Sequence, residues 1–257
     1  MNINFKSCVV QSVFFIVLHC AIFEVLAEVT SGTPAESQIH ISVVTEDWPP
    51  LNYLNSDGEI AGYVTEKVIK ILDHAVVDYD IQLLPWVRAY EVALAQPNVL
   101  IYTIYRTLER NNDFHWICPV APSIQLHAFA LASRNDLNVQ TLEDLKAYKI
   151  GVSRNDYPVS FLTKHGFREN EHLDMSANNN INMKKLLSGR VDFVVGTWQE
   201  MRIRLKRFGQ EKIRLNRLLQ IDVGHDWPLC MALSKKTPLS IVQKIQKAHL
   251  AVVGSVY

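Results

Sequence analysis

Hydrophobic and polar positions along this chain change period repeatedly, and each change marks an element. Residues 39–45 alternate as a strand and run into Glu46-Asp47-Trp48-Pro49-Pro50, where two prolines end it. Asn55-Ser56-Asp57-Gly58 is a turn. From about Thr65 to Ala75 the apolar positions Val68, Ile69, Ile71 and Leu72 fall at helical spacing. A strand over 79–84 stops at Pro85-Trp86. A short helix over 88–95 follows, then a third strand over 99–105. In the second half the spacing predicts a strand over 127–133 and a capping-box pattern, Thr141 to Asp144, ahead of a short helix. It continues with a strand over 149–153, a helix entered through Pro158 and closed by Gly166, and a helix over 178–187. A buried strand over 191–196 leads to a basic helix over 199–208. Strands within 213–223 and 227–234 and a last amphipathic helix over 239–252 complete the chain. Strands alternating with helices predict an α/β protein with largely parallel sheets.

In such sheets, ligands sit outside the carboxyl ends of the strands, so polar and aromatic residues there become candidates. They are Asp47, Trp48 and Tyr53 after the first strand, and Trp86 after the second. Thr103 and Tyr105 end the third, which delivers Arg106 and Arg110 in the turn Thr107-Leu108-Glu109-Arg110. Ser153, Arg154, Asn155 and Tyr157 follow a strand of the second half, and Thr197 and Trp198 follow another. A guanidinium offers a planar fork of donors matched to a carboxylate. Each candidate also has a plainer reading. The arginines could be a solvated turn, with Arg106 paired to Glu109 or Glu91, and the tryptophans could be core. His165, Glu169, Glu171 and His172 fit no closed metal site by spacing, so neither a metal nor a cofactor is expected.

Net charge is zero over 257 residues, which gives no basic footprint for nucleic acid. Residues 1–27 read as a secretory signal, with Lys6, the mostly apolar stretch Cys8–Phe23, and Val25-Leu26-Ala27 before Glu28. An uncleaved anchor is the alternative; a polar linker over 28–37 follows. The expected product is an exported, periplasmic monomer. Its remaining cysteines, Cys118 and Cys230, could pair in an oxidising compartment, but two free thiols packed in the interior is the more usual arrangement. No nucleophile-elbow, zincin or phosphate-loop pattern occurs, so the chain is not expected to be an enzyme. The rival is a cleft enzyme using Glu200 or Asp156 as acid or base.

The order Trp48-Pro-Pro with Asn52-Tyr53, Gly62, Pro85-Trp86-Val-Arg-Ala-Tyr90, Arg106-Thr-Leu-Glu-Arg110, Phe114-His-Trp116 and Gly189-Arg-Val-Asp192 resembles the family 3 extracellular solute-binding proteins. These serve polar amino-acid ABC transporters, and they share their fold with the ligand domains of ionotropic glutamate receptors. The resemblance implies a type II periplasmic-binding-protein fold, with two mixed sheets, a hinge and an interlobe cleft. Lobe 1 would take 38–120 and 227–257, and lobe 2 would take 121–226. It also implies that Arg110 grips a ligand carboxylate, that Thr103 and Tyr105 line the pocket, and that Trp48 or Tyr53, together with Trp86, stacks on the solute. The family's usual acidic residue for a ligand ammonium falls on Thr197. A carboxylate-bearing solute is therefore expected, with Glu46, Asp47 or Asp156 as the alternatives for a cationic end. The implied partner is an ABC permease or, alternatively, a membrane sensor.

Overall fold

The computed structural model describes residues 39–221 and 227–254; the expected signal and linker lie outside the described residues. In chain order, the first segment contains β1 (His40–Thr45), the hairpin β2 (Tyr53–Leu54) and β3 (Ile60–Ala61), and α1 (Tyr63–Ala75). It continues with β4 (Asp78–Leu83), α2 (Trp86–Ala95), β5 (Val99–Tyr105) and β6 (Phe114–Ala121). The middle segment contains β7 (Leu126–Leu131), a 3₁₀ turn (Glu143–Ala147), β8 (Ile150–Ser153), α3 (Tyr157–Lys164) and β9 (Leu173–Ser176). Then come α4 (Asn179–Leu187), β10 (Phe193–Gly196), α5 (Trp198–Arg207) and β11 (Leu215–Ile221). The chain returns through β12 (Leu229–Ser234) and α6 (Leu239–Val253).

Two five-stranded sheets result, ordered β4-β1-β5-β12-β6 and β11-β7-β10-β8-β9. The expected parallel pairing forms the heart of each: β1 pairs with β4 and β5, and β8 pairs with β9 and β10. Antiparallel strands are added where the chain crosses between lobes, β12 in the first sheet and β7 with β11 in the second. Both sheets are therefore mixed, one in each lobe of an α/β protein. β5 (Val-Leu-Ile-Tyr-Thr-Ile-Tyr) is buried at every position, the pattern of a strand covered on both faces. β6 runs through Pro119. It lies at a sheet edge, where a missing ladder donor is tolerated.

Cys118 on β6 and Cys230 on β12 are joined as a disulfide, correcting the free-thiol reading. Adjacent strands hold the two residues in reach, a proximity that their separation of 112 in sequence hides. Thr103 sits at φ 60 where the β5–β12 register shifts between Cys230 and Met231. This bulge twists β5 just before it delivers Tyr105 and the arginine turn. Among the described residues, no helix is long and apolar enough to cross a membrane.

Candidate binding site between the lobes

The carboxyl ends of β1 and β5 from one lobe meet those of β8 and β10 from the other. The gap between them is narrow, about 280 Å³ including its solvent-open part. Its polar wall is Glu46, Asp156, Asn179 and Glu200, and its apolar wall includes the rings of Trp48 and Tyr105, 6.1 Å apart. Local sequence explains how the acids arrive there. Glu46 is the first residue beyond β1. Asp156 is the N-cap of α3 and accepts from the Tyr157 amide at 2.7 Å. Glu200 completes a capping box with Thr197 at the start of α5. Gly196 lets that carboxylate close in, since a Cβ there would stand 2.7 Å from Glu200 Oε2 and 2.5 Å from Met201 Cε.

The three acids are not equally satisfied. Glu200 accepts from Arg204 Nε at 2.9 Å and from Trp48 Nε1 at 3.1 Å. Burial raises its pKa, and Arg204 opposes that rise. Asp156 is pushed up to about 6, again by burial, against the pull of Arg110. Glu46 is 5% exposed, and its carboxylate accepts no hydrogen bond among the described residues. Burial, then Asp156, then Glu200 hold its pKa well above the usual carboxylate range. With Asp47, four carboxylates face three guanidiniums, those of Arg110, Arg204 and Arg207. Among the described residues this leaves one negative charge in excess, which a proton or a cation can neutralise.

Asp47 holds the lobes together. Its carboxylate accepts from Arg204 Nη1 at 3.1 Å, Arg207 Nη1 at 2.8 Å and Asn180 Nδ2 at 2.9 Å. Arg204 Nη2 also donates to the Asp47 carbonyl at 2.6 Å, and its Nη1 to Asn180 Oδ1 at 2.5 Å. The Arg204 side chain is 1% exposed, so this guanidinium is buried across the lobe boundary, and each of its three nitrogens donates a hydrogen bond.

Of the residues expected at the site, Trp48 and Tyr105 line the gap and Asp47 bridges it. Arg110 is sandwiched near Trp86 (5.3 Å) and Tyr90 (5.1 Å) and donates across the cleft to the Asn155 carbonyl at 2.6 Å. Asn155 adopts φ 60, which turns that carbonyl towards it. Arg110 thus borders a neighbouring depression that shares Asp156 with the gap. Trp86 lies beneath it, buried, with Nε1 unpartnered. The Tyr157 ring packs against Tyr105, tilted by 46°, with centroids 5.2 Å apart.

Other expected residues are drawn elsewhere. Tyr53 lies under Arg207 at 5.4 Å, and Arg106 is exposed, donating to Asn111 at 2.8 Å. Arg154 points outward to Glu169 at 2.9 Å, while Ser153 donates inward to Asn179. Thr103 is buried against Thr45, and Thr197 spends its hydroxyl on the α5 cap. Trp198 faces outward, 45% exposed, stacked on Phe129 at 5.7 Å. At these positions a local partner or the strand's alternation takes the side chain away from the gap. Asn179 and Gly196 were not singled out in the sequence, and Glu46, Asp156 and Glu200 were weighed only as alternatives. The Thr197-x-x-Glu200 cap was a legible signal for the last.

Two lobes with mixed sheets, crossed twice by the chain and closed on a gap at their strand ends, define the periplasmic-binding-protein fold. Residues 102–235 match the family described as NMT1/THI5 like, and the chain belongs to that family. No curated protein matches the chain. Among solved structures it is similar to an ancestral arginine-binding protein bound to arginine (TM-score 0.69, 19% identity, 84% of this chain and 93% of that one). A histidine kinase sensor domain with similarity to periplasmic binding proteins gives TM-score 0.70 at 16% identity, covering 84% and 91%. The arginine-, lysine-, histidine-binding protein of Geobacillus stearothermophilus gives 0.68 at 19%, covering 84% and 90%.

Proposed function

We propose that this chain is a periplasmic solute-binding protein that closes its lobes on a small solute carrying a cationic group, an amine or guanidine. One observation carries the reading: Glu46, only 5% exposed, lines the interlobe gap beside Asp156 and Glu200, and its carboxylate accepts no hydrogen bond among the described residues. An isolated ionised carboxylate is expensive to bury, and a bound cation removes that cost. The faces of Trp48 and Tyr105 add cation–π attraction. This reverses the emphasis on a carboxylate anchor, because Arg110 is occupied by Asn155 and its aromatic neighbours. A solute that also bears a carboxylate is the second reading. It is favoured by the shared border at Asp156 between the gap and the Arg110 depression. In this view the protein is a binder rather than an enzyme. It hands its solute to an ABC-type permease of the polar amino-acid kind, or reports it to a membrane sensor.

Thermal-shift titration with arginine, agmatine and citrulline tests the proposal, since bound ligand stabilises by RT ln(1 + [L]/Kd). Agmatine lacks only the carboxylate of arginine, and citrulline replaces the guanidinium by a neutral ureido group while keeping the α-ammonium. Shifts with arginine and agmatine support the cation reading, an added shift with citrulline would extend it to an amine, and arginine alone would show that Arg110 also engages the solute. Succinate, which carries no cation, shifting the melt while the cations do not would overturn it. Conversion of a solute, followed by mass spectrometry, would move the protein to the enzyme class.

A further inference from the structure

The widest concave surface among the described pockets lies outside the cleft, on the far side of α5. There a groove of about 740 Å³ runs between α5 and the chain leading into β11. Its floor is apolar: Met201, Leu205 and Leu215 are buried beneath it, and Trp198 forms one wall. A second depression continues it along β11, sharing Trp198 and Leu215. The helix produces this surface by its periodicity. Glu200, Met201, Arg204 and Leu205 turn towards the lobe, which leaves Trp198, Arg202 and Lys206, four residues apart, on the outer face.

Two features indicate what the groove would accept. Arg202, Lys206, Arg214 and Arg217 line it, against a single acid, Glu211. Unlike Arg204 and Arg207, none of these four enters a side-chain ion pair or hydrogen bond among the described residues. Among the described residues β11 is also the edge of its sheet, paired on one side only, with β7, so its outer backbone groups can accept another strand. At about 3.3 Å per residue, its seven residues offer an edge of roughly 23 Å.

We propose that this groove docks an extended, acidic segment of a partner protein, which adds to the β11 edge and seats a large apolar side chain beside Trp198. The basic rim sets the sign of the partner's charge, and the apolar floor sets the anchor. A concave groove next to a free strand edge suits a peptide, whereas a flat anionic bilayer would not reach its floor. The groove opens away from the gap, touches the first lobe at Pro50, and does not depend on which solute the cleft takes.

A phage-displayed library of random heptapeptides, selected on the full chain and then on an Arg214→Glu/Arg217→Glu variant, tests this. Selection on the wild-type chain is expected to enrich peptides with Asp or Glu flanking Trp, Phe or Leu. The synthetic consensus peptide should lose at least about tenfold in affinity against the variant, and should weaken as salt is raised. Hydrogen exchange at 215–221 should slow when it binds. Trp198→Ala should weaken it as well, with the rim charges intact. Circular dichroism and the unfolding midpoint of each variant serve as folding controls. Enrichment without an acidic bias, equal affinity for the variant, or unchanged exchange along β11 would each overturn the proposal. So would binding to phosphatidylglycerol vesicles with no peptide enriched, an outcome that assigns the rim to lipid.

Discussion

Replacing Asp47 by Ala should open the lobes. Asp47 stands on one lobe, and Arg204, Arg207 and Asn180 stand on the other, so the loss falls on the closed state rather than on either lobe's own fold. Breaking a buried ion pair by removing one partner costs about 3–5 kcal/mol. Here Arg204 keeps Glu200, Asn180 and the backbone carbonyl of residue 47, which lowers that figure. The Arg207 contact is partly exposed, at 29%, and adds about 1 kcal/mol or less. A net loss of about 2–3 kcal/mol corresponds to roughly a 30- to 150-fold shift in the closure equilibrium. Small-angle scattering of the solute-free protein should show a larger radius of gyration, and solute affinity should fall by up to the same factor. Glu109→Ala is the matched control. It removes a different cross-lobe ion pair, with Lys164, in which both side chains are exposed (44% and 58%). Such a pair contributes at most about 1 kcal/mol. Unchanged scattering with affinity within twofold for Asp47→Ala would refute the latch, as would equal opening by Glu109→Ala.

Three further outcomes follow from the same geometry. Glu46→Gln should weaken agmatine binding by at least about tenfold in calorimetry while raising the midpoint of the solute-free protein, because a buried unpaired charge is removed; unchanged affinity would exclude Glu46 from the site. In the solute-free protein, Asp156 binds its proton more tightly folded than unfolded, with a folded pKa of about 6, and Glu46 is shifted in the same direction. The contribution of Asp156 to stability is therefore present at low pH and lost as pH rises from about 4 through about 6, so the melting midpoint should fall across that window and Asp156→Asn should blunt the fall. A midpoint that rises throughout would contradict the charge assignment. Replacing both Cys118 and Cys230 by Ala should lower stability in urea by about 2–5 kcal/mol, given the 112-residue separation that the disulfide spans; a change under about 1 kcal/mol would refute that role.

Periodicity determined most of the architecture because it records which face of each element meets a core. Val99–Tyr105 is legible as a buried strand from its unbroken apolar run, and α5 from the cap Thr197-x-x-Glu200. β9, the hairpin at 53–61 and the extension of β6 through Pro119 were not legible. Short strands such as Leu173–Ser176 gain their stability from a neighbouring strand rather than from their own pattern.

At the site, sequence alone identified the strand ends and hence Trp48, Tyr105 and the arginine turn. It could not say which polar group faces the gap, because that depends on partners distant in the chain. Thr197 looked like a missing acid, yet the negative charge comes from Glu200 three residues later and from Glu46 and Asp156 in the segments that follow β1 and β8. Arg204 reads as one of several basic residues on a wet helix face. It is buried because Asp47, 157 residues earlier, meets it across the lobes. The chain's own pattern chose the fold and the edge on which a solute would bind. Only the packing of one lobe against the other decided which charges are paired there and which are left for a ligand.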